Sequence, residues 1–163
     1  MRAGFVAVGS QALSETFTEF FREAEPRLRR ALTAAVGVEA GREAAAEALA
    51  YGWEHWERVG SMGNPAGYLY RVGRSKARNR RRTHPGVFVP RAAEEEPWCE
   101  PGLRAALERL SERQRVAVML VHGFGYTTAE AGDLLGVEGG TVHKHAARGL
   151  EKIRAALRVD AHD

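Results

Sequence analysis

Between residues 68 and 82 the chain carries two tyrosines, Tyr68 and Tyr70, and then seven basic side chains with no acid: Arg71, Arg74, Lys76, Arg78, Arg80, Arg81 and Arg82. On a helix, at about 100° per residue, Leu69, Val72 and Gly73 share one side while Arg71, Arg74 and Arg78 project from another. Guanidinium groups in a row can track phosphates, and tyrosine rings can stack on exposed bases. The stretch therefore fits single-stranded or melting nucleic acid. It fits equally a solvated basic helix end with its tyrosines packed in the core, and the stretch by itself leaves both open.

A second constellation lies near the C-terminus. If Gly139 or Gly140 opens a helix, Val142, Ala146, Gly149, Ile153 and Leu157 fall on its core side, and His143, Lys144, Ala147 and Arg148 fall outside. Thr141 and the free amides near Gly139 and Gly140 suit a phosphate at the helix start, while Lys144 and Arg148 suit base edges or backbone. Just upstream, Ala131, Gly132, Leu135, Gly136, Val137 and Val142 repeat the pattern of a DNA-binding helix-turn-helix. A small residue lets two helices approach, a glycine permits the turn, and apolar residues fix the angle. Lys152, Arg154 and Arg158 are better read as charges complementing the helix C-terminus than as phosphate contacts.

Other chemistries find little support. The single Cys99 has no cysteine partner for a disulfide or a zinc site. His143 and His145 stand about 200° apart on a helix and cannot grip one metal as an i, i+4 pair does. There is no HExxH, and Gly136-Val137-Glu138-Gly139-Gly140-Thr141 lacks the lysine and spacing of a phosphate cradle. The expectation is a protein that is not an enzyme, with no catalytic residue, metal, cofactor or small-molecule substrate.

The elements that must position these residues are helical. At 163 residues, 44% hydrophobic and 28% charged, the chain has the composition of a globular protein and suffices for one compact domain or two small ones. No run approaches the roughly 18 apolar residues of a membrane span, which with the lone cysteine places the protein in the cytoplasm and off the membrane. All but three of the 24 Lys and Arg are arginine, a skew that GC-rich coding alone can produce, so position and not abundance carries the argument. Four of six prolines and the run Glu94-Glu95-Glu96 fall between Thr83 and Pro101, the composition of a linker.

Before the linker, Thr16 and Glu19 form a capping box ahead of Phe17, Phe20, Phe21, Ala24, Leu28, Ala31 and Leu32, with Pro26 as a kink point. A second helix is expected over Glu39 to Val59, with Ala45, Leu49, Trp53, Trp56 and Val59 in the core. Asn64-Pro65 starts a third, running to Arg82. After the linker, Ser111 with Gln114 and Thr127 with Glu130 make capping boxes, and Gly123 and Gly136 end helices. The fold class is all-α: an N-terminal tail (1–13), a helical domain (14–83), the linker (84–101), a helix-turn-helix domain (102–158) and a C-terminal tail (159–163).

The order of these blocks resembles the sigma-70 family of bacterial initiation factors, in its short two-domain extracytoplasmic-function group. The marks are Glu47-Ala48-Leu49-Ala50-Tyr51-Gly52-Trp53, Asn64-Pro65-Ala66-Gly67-Tyr68-Leu69-Tyr70-Arg71-Val72-Gly73-Arg74 and Leu110-Ser111-Glu112-Arg113-Gln114-Arg115. The strongest is Gly125-Tyr126-Thr127-Thr128-Ala129-Glu130-Ala131-Gly132-Asp133-Leu134-Leu135-Gly136-Val137-Glu138-Gly139-Gly140-Thr141-Val142. The resemblance implies a first domain that docks on the RNA polymerase clamp and opens the −10 element, and a second that reads the −35 element. On it, Tyr68, Tyr70, Arg71, Arg74 and Arg78 lie at the −10 strand. Gly139, Gly140, Thr141, His143, Lys144 and Arg148 lie at −35, and Glu43 and Glu47 are the acids available to the clamp. Core RNA polymerase and promoter DNA are the implied partners, with room for an anti-sigma factor. The alternative is a stand-alone regulator of the same fold that does not dock on polymerase.

Overall fold

The computed structural model describes residues 3–83 and 102–160, and among them every element is helical. The order is α1 (Ala3–Val36), α2 (Val38–Glu54), α3 (Trp56–Val59) and α4 (Pro65–Thr83), then α5 (Leu103–Glu108), α6 (Glu112–Val118), α7 (Thr128–Leu135) and α8 (Gly139–Asp160). A π-helical turn, Met119–Gly123, extends α6. The expected linker, 84–101, lies outside the described residues.

In the first half α1, α2 and α4 pack together through small residues. Ala31, Ala44, Ala45 and Ala48 are buried beside Leu28, Leu32, Leu49 and Leu69, so the backbones approach closely and the leucines fill the remaining space. Three expectations are corrected here. Helix α1 is already formed at Ala3, within the expected tail, and passes through Thr16 and Pro26 without ending. Thr16 is therefore no cap, and its hydroxyl accepts from Trp56 Nε1 at 2.9 Å. The second helix breaks at His55, whose N–H bonds back to Tyr51 O while a new turn starts at Trp56. Trp53, expected in the core, is 50% exposed, and its ring meets that of Phe17 in an edge-type contact with centres 5.1 Å apart.

In the second half α6, α7 and α8 surround Val116, Ala117, Leu120, Ala131, Leu134 and Val142. Both expected capping boxes form: Ser111 with Gln114 starts α6, and Thr127 with Glu130 starts α7. The Thr127 amide and hydroxyl hydrogen bonds hold the Glu130 carboxyl below its ordinary pKa. A smaller cluster of Ala106, Leu110, Val118 and Ile153 ties α5 to the far end of α8.

The two halves do not stand apart. One buried cluster runs continuously from Leu28 and Leu32 to Leu120 and Leu134. Its polar anchor is Arg115, whose Nε and Nη2 donate to the carbonyls of Ala34 and Ala35 at 2.8 and 2.9 Å, while Nη1 reaches Leu110 O at 3.3 Å. Helix α1 has no basic residue in its last turn, so the second half supplies the cation that its unpaired C-terminal carbonyls attract. Arg30 adds a lesser tie, donating to Tyr126 Oη at 3.4 Å with its guanidinium 5.4 Å from the Phe124 ring centre.

Replacing Arg115 by Met should lower the unfolding free energy by about 2 kcal/mol, the scale of hydrogen bonds made by a charged donor. Arg115→Lys should lose less, because the charge remains and only the fork is lost. Urea midpoints of the three proteins measure both effects.

Candidate nucleic-acid interface

The turn between α7 and α8 is built by two glycines. Gly136 sits at φ 69°, in the left-handed region that favours glycine. Its N–H bonds to Asp133 O at 3.3 Å and the Val137 N–H to Gly132 O at 2.9 Å, the paired bonds of a Schellman ending. A Cβ on Gly132 would stand 2.7 Å from Val137 O, so only glycine admits the chain there without a shift. The expected division of labour, a small residue for the approach and a glycine for the turn, is met by Gly132 and Gly136.

Helix α8 then starts at Gly139, with Thr141 and Val142 donating to Glu138 O. Val142, Ala146, Gly149 and Ile153 are buried, while Gly140, Thr141, His143, Lys144, Ala147 and Arg148 are exposed. Gly139 is half-buried against α7. Neither Lys144 nor Arg148 makes an ion pair among the described residues. Lys152 is different, since its Nζ donates to Gln114 Oε1 at 3.1 Å and joins α8 to α6.

Helix α4 starts as expected, with Asn64 Oδ1 accepting from Gly67 N at 2.8 Å. The same side chain does more: its Nδ2 donates to Asp133 O in the last turn of α7. One amide thus caps the start of one helix and the end of another, where the two dipoles are complementary. The arginines that follow turn toward the second half. Arg74 Nε donates to Glu112 Oε1, and Arg78 Nη2 lies 3.9 Å from Glu112 Oε2. Arg71 is exposed, but its Nη1 lies against Gly136 at the end of α7.

The tyrosines separate into two roles. Tyr70, expected among the base-stacking residues, is 5% exposed. Burial pushes its hydroxyl up to about 12, and in this arrangement the ring is core. The reason is the second half, which covers the side of α4 that a lone helix would show to solvent. Tyr68 remains half-buried, its hydroxyl 3.3 Å from that of Tyr51. Arg58 donates to Tyr51 Oη and lies 6.0 Å from the Tyr68 ring centre. The hydrogen bond between the hydroxyls lowers the Tyr51 pKa and raises that of Tyr68, so Tyr68 is the better proton holder of the pair.

Glu43 and Glu47 both bind Arg80, one carboxylate to each terminal nitrogen of the guanidinium. Arg80 therefore leaves the basic stripe to bridge α4 to α2. Lys76, Arg81 and Arg82 are exposed and make no ion pair among the described residues. The residues that reasoning from sequence missed are Glu112, Arg115, Arg58 and the second bond of Asn64. Glu112 and Arg115 stood in the quoted Leu110–Arg115 block, where the capping box explained only Ser111 and Gln114. Among the described residues no three His, Cys, Asp or Glu come together as a metal site, and no helix is long and apolar enough to cross a membrane.

Residues 102–153 match the family described as Sigma-70, region 4. Over 90% of its length the chain is similar to the sigma factor RpoE from Bartonella quintana, solved in complex with the anti-sigma factor NepR. That likeness covers 99% of the RpoE chain, with a TM-score of 0.61 and 22% identity. At that identity the likeness is one of fold. No curated protein matches the chain.

The buried Tyr70 hydroxyl sets a pH dependence. The unfolded chain loses this proton near pH 10 and the native state holds it to about 12, so stability falls as pH rises through that window. Relative to Tyr70→Phe, which has no such proton, the native protein should lose on the order of 2 kcal/mol between about pH 9 and about pH 11.5. Paired urea titrations at the two pH values measure it.

Proposed function

Because residues 102–153 match Sigma-70, region 4, and the fold is similar to that of the sigma factor RpoE, we propose that the chain is a sigma-70 family factor of the two-domain extracytoplasmic-function group, which binds core RNA polymerase and directs it to promoter DNA. The observation that carries this reading is the exposed outer face of α8, presented by a turn that two glycines fix. Lys144 and Arg148 are one helical turn apart, a spacing that fits base edges and backbone within one major groove. Thr141 and the head of the helix at Gly139 and Gly140 receive a phosphate, and His143 lies beside them. This is the −35 contact.

At −10, Arg71, Arg74 and Arg78 take strand phosphates, and Tyr68, the tyrosine left half-exposed, meets the bases. Opening needs no catalytic group, because captured bases and neutralised phosphates favour the melted state over the duplex. Glu43 and Glu47 are the acids offered to the clamp. An anti-sigma factor is a further partner in this reading, supported by the RpoE–NepR complex.

The pairing of Glu43 and Glu47 with Arg80 favours a second reading, a DNA-binding regulator of the same fold that does not dock on polymerase. Competition with a housekeeping sigma factor for core polymerase separates the two: mutually exclusive binding supports the first, and absence of binding where the competitor binds supports the second. For α8, Lys144→Ala and Arg148→Ala should each weaken duplex binding, and each lost phosphate contact should reduce the salt slope by about one. Unchanged affinity and slope in both would remove α8 from the DNA surface.

A further inference from the structure

The head of α8 does not stand alone. A Cβ on Gly139 would meet Thr128 O at 3.2 Å and Ala129 N at 3.3 Å, so the first turns of α7 and α8 lie side by side. The residues just before α7 face α1: Tyr126 Oη accepts from Arg30, whose guanidinium also lies 5.4 Å from the Phe124 ring centre. Arg27 stands three residues before Arg30 and so on the same side of α1. The Glu130 carboxyl, held down first by the Thr127 amide, also feels the Arg27 charge. Arg30 is exposed and Arg27 half-buried, and neither makes an ion pair among the described residues. Two acids border them: Glu130, whose carboxylate is bonded to the Thr127 amide and hydroxyl, and Glu23, one turn before Arg27 on α1.

When a recognition helix lies in the major groove, the helix before it crosses the sugar-phosphate backbone. Here that helix is α7, and the two arginines of α1 stand at its start. We propose that Arg27 and Arg30 bind backbone phosphates of the same duplex whose major groove receives α8, so that both halves of the chain grip one double-stranded site. The inference rests on the duplex-binding reading of α8. It divides the work: α8 reads the groove, while α1 supplies contacts that fix orientation and add affinity without reading sequence. Tyr126 and Phe124 hold the Arg30 side chain by a hydrogen bond and a ring face, so its charge is kept at the start of α7.

The test measures binding of the full chain to a labelled −35-type duplex across a salt series. Arg27→Gln and Arg30→Gln should each reduce the salt slope by about one. The deficit of the double variant is then largest at low salt, and should shrink about tenfold between about 50 and about 200 mM. A duplex of scrambled sequence should show the same loss, because phosphates carry no sequence. Arg29→Gln removes the same charge from the opposite side of α1, where Arg29 bonds to Glu25. It should leave affinity within about twofold and the slope unchanged. Circular dichroism checks that each variant stays folded, and Arg27→Gln, which disturbs no ion pair, carries the prediction if Arg30→Gln loosens the halves.

Unchanged slopes in both single variants, with affinity lost in Lys144→Ala, would overturn the proposal and leave α8 on the DNA. An equal loss of slope in Arg29→Gln would overturn it too, since the overall charge of the chain would then account for the effect. If Lys144→Ala and Arg148→Ala also change nothing, the α8 reading fails and the proposal falls with it.

Discussion

Helix α1 ends with carbonyls that its own sequence does not satisfy, and the rest of the structure is arranged around the side chain that does. Arg115 comes from α6, on the other side of the expected linker, and fans its guanidinium over Ala34, Ala35 and Leu110. A buried helix end without such a partner is costly, and a delocalised cation with several fixed donors is the side chain best suited to it. Once Arg115 is seated, Val116 and Ala117 are brought against the end of α1, and the apolar cluster passes from one half to the other. The same placement sets Glu112, one turn earlier on α6, beside the arginines of α4.

Helix ends recur as the means of joining. Asn64 links the start of α4 to the end of α7, and Arg71 lies against Gly136 at that same end. Each contact pairs a helix terminus with a group of the opposite polarity from the other half. The apolar cluster shared by the halves combines alanine and valine with the fully buried Leu28, Leu32, Leu120 and Leu134.

The comparison of sequence with structure is sharpest at the two arginine-bearing surfaces. On α8 the 3.6-residue period told which residues face inward, and Val142, Ala146 and Ile153 are indeed buried while Lys144 and Arg148 are out. On α4 the same reasoning placed Leu69 and Gly73 inside correctly, yet Tyr70 is buried and Arg74 and Arg78 are paired. The difference is the number of neighbours. Helix α8 packs along one face, whereas α4 is covered on one side by α1 and α2 and on another by α7, and a single hydrophobic period cannot encode a second, mixed polar contact. Trp53 errs the other way: it follows the apolar spacing of α2 but stays half-exposed beside Phe17 of α1.

What the sequence determined by itself is what local chemistry determines: an all-helical chain, the capping boxes at Ser111 and Thr127, the start of α4 at Asn64 and Pro65, and the glycine turn that sets α8. Each depends on groups within a few residues of one another, so spacing is enough to read them. Only the tertiary structure decided that Arg115 caps α1 from some 80 positions away, that Arg80 takes both Glu43 and Glu47, and that Glu112 holds Arg74 and Arg78. Charges attract through space and without regard to chain order, so every arginine in an arginine-rich sequence has many eligible acids. The fold chooses among them by bringing one within reach.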